Sequence, residues 1–157
     1  MTTVTVREKK GARVREGLVA VVTGSIALAT RGDADVVRIT DEVREAVRRS
    51  GLTDGTVTVF VPGATGAVTT IEYEPGVVQD LQEVLDAVVP PQRRWRHNVN
   101  NGDGNGHSHV RAGLLGPSLT VPFVDGELTL GRWQEVVFCD FDARPRERRL
   151  VVQVMGV

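Results

Sequence analysis

The sequence is short of cysteine, of net charge and of long apolar runs, and each shortage excludes a class of protein. Cys139 is the single cysteine, so no disulfide framework can form within the chain. It stands in the run Val136-Val137-Phe138-Cys139, where a small buried hydrophobe is expected in preference to a nucleophile. Lys plus Arg number 19 and Asp plus Glu 20, a balance without the basic field that nucleic acids or anionic membranes require. The arginines at 93–96 and 144–149 read as solvated edges, the second group also as a candidate subunit contact. No apolar stretch approaches the roughly 18 residues of a membrane span. Residues Met1–Arg7 lack the charged start, apolar centre and cleavage site of a signal peptide. The expectation is a cytoplasmic protein with no nucleic-acid or membrane partner. With no repeat, low-complexity tract or visible boundary, residues 1–157 read as one domain.

What is present is a block-like order of strands and helices. Thr2–Val6 and Leu18–Thr30 read as strands joined by the polar loop Glu8–Glu16, and Arg31-Gly32-Asp33 breaks the second. Thr40 is expected to cap a helix with Asp41 and Glu42 in its first turn, Arg48 and Arg49 near its end, and Gly51 as its stop. Thr56–Val61 and Ala67–Glu72 flank the break Pro62-Gly63 as two strands. Val77, Val78, Leu81, Val84, Leu85 and Val88 form a helical stripe between Pro75 and Pro90-Pro91. Short strands follow at Leu119–Val124, Leu128–Leu130, Val136–Phe141 and Leu150–Val154, with the turn Asp125-Gly126. Without regular βαβ alternation, the class is α+β: two main helices on antiparallel sheet.

The chemistry concentrates in one stretch. All three histidines, His97, His107 and His109, bracket Asn100-Asn101-Gly102-Asp103-Gly104-Asn105-Gly106. Imidazole is the commonest protein ligand for zinc and related metals, and His107 and His109 can reach one ion from a strand or an irregular loop. On a helix they would diverge by about 200°. Since Val110–Leu115 reads as the body of a helix capped by Asn105 or Ser108, a shared ion requires His107 to precede it. Gly102, Gly104 and Gly106 permit close backbone approach, and helix N–H groups favour an anion. Asp103 offers a metal ligand or a proton acceptor, and a neutral histidine a general base. The alternative is a surface loop of glycines and Asx turns. Trp95 and Trp133 read as packing aromatics.

The succession Ile39-Thr40-Asp41-Glu42-Val43, Val59-Phe60-Val61-Pro62, Gly104–His109, Leu114–Ser118, Gly131–Glu135 and Val151–Val154 resembles the YjbQ family, also called UPF0047, from about Ile39 to the C-terminus. The resemblance implies an α+β fold with an antiparallel β-sandwich-like core, a homotrimer, and a site of histidines and carboxylates with a metal ion. It also implies a secondary thiamine-phosphate synthase activity, in which a pyrimidine diphosphate joins a thiazole phosphate and pyrophosphate leaves. Carried over, the site positions are His97, Asp103, His107 and His109 with Glu72, followed by Asn105 and Ser118. Many members have a histidine and two threonines after the proline, where this chain has Gly63-Ala64-Thr65; Gly63 can neither ligate nor move a proton.

The expected roles are therefore His97, His107 and His109 as metal ligands, and His107, Asp103 and Glu72 as catalytic groups. Gly104, Asn105, Arg111 and Ser118 would bind substrate. A divalent ion of zinc or manganese would suit the histidines and magnesium the carboxylates, and it would face a small phosphorylated metabolite. A metal-dependent phosphoester hydrolase and a non-catalytic trimer that binds a metabolite or metal are the competing readings.

Overall fold

The computed structural model describes residues 14–157. The strand expected at Thr2–Val6 and most of the loop Glu8–Glu16 lie outside the described residues. The chain runs through β1 (Ala20–Thr30), β2 (Asp35–Arg38), α1 (Thr40–Ser50), β3 (Gly55–Phe60), β4 (Gly66–Glu72), α2 (Pro75–Val88), α3 (Arg96–Asn101), α4 (Gly106–Leu115), β5 (Ser118–Val124), β6 (Glu127–Leu128), β7 (Gln134–Asp140) and β8 (Arg146–Gly156).

All pairings in the two sheets are antiparallel: β1-β8-β3-β5-β6 in one and β2-β7-β4 in the other. Strand alternation divides their side chains between two cores. Val37, Val68, Val136 and Phe138 of the small sheet meet Val57, Val59, Val121, Phe123, Leu150 and Val152 of the large one, with Val43 and Val47 of α1 filling the same core. The opposite face of the small sheet, through Val36, Ala67, Val137 and Cys139, packs on Leu85 of α2 and Ala112 of α4. The class is α+β, a β-sandwich with helices outside its smaller sheet. Central β7 is covered on both faces, so Cys139 is fully buried and its thiol is pushed up to about 12 by that burial.

Local chemistry explains most boundaries. In α2, Pro75 occupies the first turn and the Glu74 carboxylate accepts from the N–H groups of Gly76 and Val77. Gly51 ends α1 at φ 71°, a left-handed position. Thr40 departs from the expectation. It is the first helical residue, after Ile39 at the cap, and its hydroxyl accepts from Val136 N–H at 2.8 Å, stitching α1 to β7. The α2 stripe is half used, because Leu85 is buried while Val84 and Val88 are exposed. Trp133 is also exposed, with Arg132 stacked over its ring.

Candidate functional site

Helices α3 and α4 lie side by side because Gly106 has no side chain. A Cβ there would fall 2.7 Å from Trp95 Cβ and 2.8 Å from Asn98 Oδ1, so only glycine lets the two backbones approach. Asn98 Oδ1 accepts from Gly106 N–H at 2.7 Å and fixes the contact. Between the helices, Gly102 and Gly104 at φ 74° and 72° fold the chain back, which returns Asp103 to the same spot.

There the side chains of His97, Asp103 and His109 converge, each offering a ligand atom within 4.8 Å of the others. His97 Nε2 lies 3.0 Å from an Asp103 oxygen, and the imidazoles of His97 and His109 meet edge to face at 4.5 Å. His109 Nδ1 donates to the Ala64 carbonyl at 2.9 Å, which leaves Nε2 as the bare lone pair facing inward. The Asn101 amide contacts His97 Nδ1 at 3.1 Å and fixes the ring with Nε2 toward Asp103. Asn105, at the cap of α4, makes no side-chain capping bond. Turned with its NH2 inward, its amide nitrogen lies 3.0–3.2 Å from Asp103, His97 Nε2 and His109 Nε2 and can donate to two of them. Turned the other way, its oxygen is a fourth electron-rich atom.

These spacings suit a cation. Ligand atoms of a tetrahedral ion with bonds of about 2.0–2.1 Å stand about 3.3–3.4 Å apart, inside the 4.8 Å within which these three lie. Two imidazoles with one carboxylate favour zinc or manganese over magnesium, which prefers oxygen and keeps its waters.

The other expected residues are placed elsewhere. Helix α4 already begins at Gly106, so His107 and His109 diverge as helical geometry requires. His107 is 5% exposed and points into the protein, where burial, and then Arg111, hold its pKa below 6.5. Arg111 is also buried; it donates to the Val89 carbonyl at 3.1 and 2.8 Å and to Asp86 at 2.6 Å, tying α4 to the end of α2. Those bonds commit Nε and Nη2 of Arg111 to the fold. Glu72 closes β4 opposite Gln134, about 20 Å along the strand from Gly66 at the rate of strand rise, while Gly66 shares a depression with His109. Ser118 opens β5 opposite Phe60 on the outer face of the large sheet.

Sequence reading missed two contributors. The Ala64 carbonyl has no side-chain signature. The arginines of residues 144–149 are more than a solvated edge: Arg148 grips buried Asp140 through two 2.6 Å hydrogen bonds, and Arg146 holds Asp142 at 2.9 Å. Burial pushes the Asp142 carboxyl up, but Arg146, Thr65 and Arg148 together hold it below its ordinary value. Arg146 and Arg144 face Asp103 and Asn105 across a polar cleft of about 420 Å³.

No described helix is long and apolar enough to cross a membrane. The profile of the YjbQ-like UPF0047 proteins matches residues 24–157. A UPF0047 protein of Methanothermobacter thermautotrophicus is 36% identical over 136 residues, covering 87% of this chain and 93% of its own length. The UPF0047 protein YugU of Bacillus subtilis is 31% identical over 134 residues, with 84% and 98% covered. Among solved structures, a YbjQ-like protein of unknown function from Sulfolobus solfataricus superposes with a TM-score of 0.85 at 30% identity, covering 89% of this chain and all of its own. A YjbQ/UPF0047 protein of Clostridium acetobutylicum gives 0.77 at 35% identity, with 83% and 98% covered. From Gly24 to its last residue, this chain belongs to the YjbQ-like UPF0047 family.

Proposed function

We propose that this chain is a metal-dependent enzyme acting on a small phosphorylated substrate, with a divalent cation held by His97, Asp103 and His109. The observation that carries the reading is the convergence of two imidazoles and a carboxylate, their ligand atoms all within 4.8 Å of one another. When bound, such an ion supplies Lewis-acid stabilisation to a phosphate or diphosphate group. The chain's own residues do the rest. Ala64 orients His109, and Asn101 orients His97. Asn105 serves as a hydrogen-bond donor or an oxygen ligand according to which end of its amide faces in. His97 and Asp103 are partly exposed, so a ligand can reach them.

The resemblance makes thiamine-phosphate synthase the specific form of this reading. The thiazole nitrogen bonds to the exocyclic methylene carbon of the pyrimidine diphosphate, the bond from that carbon to the diphosphate oxygen breaks, and pyrophosphate leaves. A homotrimer in the cytoplasm belongs to the same reading, and the open outer face of the large sheet, with exposed Val21, Phe60 and Met155, supports self-association.

Metal content and turnover are to be measured together on tag-free wild type, His97→Ala and His109→Ala, using the pyrimidine diphosphate and thiazole phosphate pair and a generic phosphoester. About one zinc or manganese per chain, lost with turnover in both variants, is the expected result. Turnover on the phosphoester alone would make the protein a hydrolase, and bound metal without turnover a binding protein. Wild type that takes up no metal would overturn the reading.

A further inference from the structure

The metal reading leaves the loop of residues 142–146 unused, and we infer that its arginines form an anion seat for the phosphate end of the substrate, across the cleft from the cation centre. The inference deepens the proposed function, since the substrate would span both, but the seat stands on its own residues.

Asp103 and Asn105 form one side of the cleft, and Asp142, Ala143, Arg144 and Arg146 the other. Arg144 is exposed and its side chain has no hydrogen-bond or ion-pair partner among the described residues. Arg146 directs Nε and Nη2 to Asp142, each at 2.9 Å, and keeps Nη1 unspent. Asp142 also lies 3.7 Å from Arg148 and accepts from Thr65, while Asp140 is answered by Arg148. On this side Arg146 and Arg148 are matched by Asp142 and Asp140, which leaves Arg144 as the guanidinium without a carboxylate, facing Asp103 across the cleft. A planar guanidinium matches phosphate oxygens two at a time, which makes a phosphate or diphosphate the complementary ligand.

The loop is also held in place. Gly32, at φ +77°, packs so closely that a Cβ there would lie 2.6 Å from the carbonyl oxygens of both Asp142 and Arg144. Asp33 N–H donates to the Asp142 carbonyl at 2.7 Å, and Phe141 N–H to the Thr65 carbonyl at 2.8 Å. Asp142 N–H donates to Asp140 at 3.0 Å. The backbone beneath Arg144 is thus fastened from two sides, so an anion need not order the loop before binding.

Inorganic pyrophosphate is the probe, titrated calorimetrically at low salt into wild type, Arg144→Ala and Arg132→Ala, with and without zinc, while zinc content is measured in parallel. Arg144→Ala should weaken pyrophosphate about tenfold or more with zinc per chain unchanged, and Arg132→Ala should bind as wild type. Equal affinity in wild type and Arg144→Ala, or an equal loss in Arg132→Ala, overturns the seat whatever the zinc content. Failure of wild type to bind pyrophosphate does the same. An Arg144-dependent loss in protein that takes up no zinc would keep the seat and remove the cation centre, so the two ideas fail separately.

Discussion

His107 and His109 sit two positions apart and end in different surroundings: His109 beside Asp103 at a half-open site, His107 in the interior with Nδ1 lacking a hydrogen-bond partner. Burial, and secondarily Arg111, favour the neutral ring of His107. Its pKa is lower folded than unfolded, so the unfolded chain takes up the proton first. The stability that the neutral ring contributes is complete above pH 6.5 and is lost as pH falls below it toward the folded value. Wild type should lose stability relative to His107→Gln by up to about 1.4 kcal/mol per pH unit below that point. Urea unfolding of both proteins at pH 7.5 and 5.5 checks this; parallel losses would show that the ring is not the source. The sequence revealed the histidine cluster but not the partition within it, because that depends on a helix beginning one residue before His107.

At the scale of elements, two short ones escaped the sequence reading. Strand β2 has four residues and, among the described residues, pairs only with β7, too brief for an alternation to stand out. Helix α3, Arg96–Asn101, is almost wholly polar and has no apolar stripe to announce it; it exists through its contact with Gly106 and its left-handed stop at Gly102. Longer elements with strong punctuation, β1, α2 and the turn at Asp125-Gly126, fall close to where the sequence put them. Glycine positions show how context sets the cost of a side chain. Gly51 and Gly32 share a left-handed φ, but a Cβ at Gly51 meets nothing within 4 Å, whereas at Gly32 it strikes two carbonyl oxygens. Gly51→Ala should cost about 1 kcal/mol and Gly32→Ala about 2 kcal/mol or more, as read from urea midpoints. Equal costs would mean that the turn yields and the 142–146 loop moves with it.

For the whole molecule, burial is distributed by layer. The small sheet is covered on both faces, and the large sheet turns one face outward through Val21, Phe60 and Met155. Apolar runs such as Val136–Cys139 announced a buried strand, but two sheets and their order follow from register over long sequence separations, which local pattern does not encode. The arginines of 144–149 illustrate the same limit: their partners Asp140 and Asp142 become visible only when the start of β8 folds back along the end of β7. The ligand atoms of the candidate centre, by contrast, all come from residues 97–109, with Ala64 as outside support. A cation there would act as a removable local staple, drawing its energy from closing one short segment instead of from the sandwich. At a concentration a hundredfold above its dissociation constant, opening of that segment becomes harder by about 2.7 kcal/mol. Amide hydrogen exchange at Gly102 and Gly106 should then slow about a hundredfold, while Val137 and Phe138 in the core keep their rates.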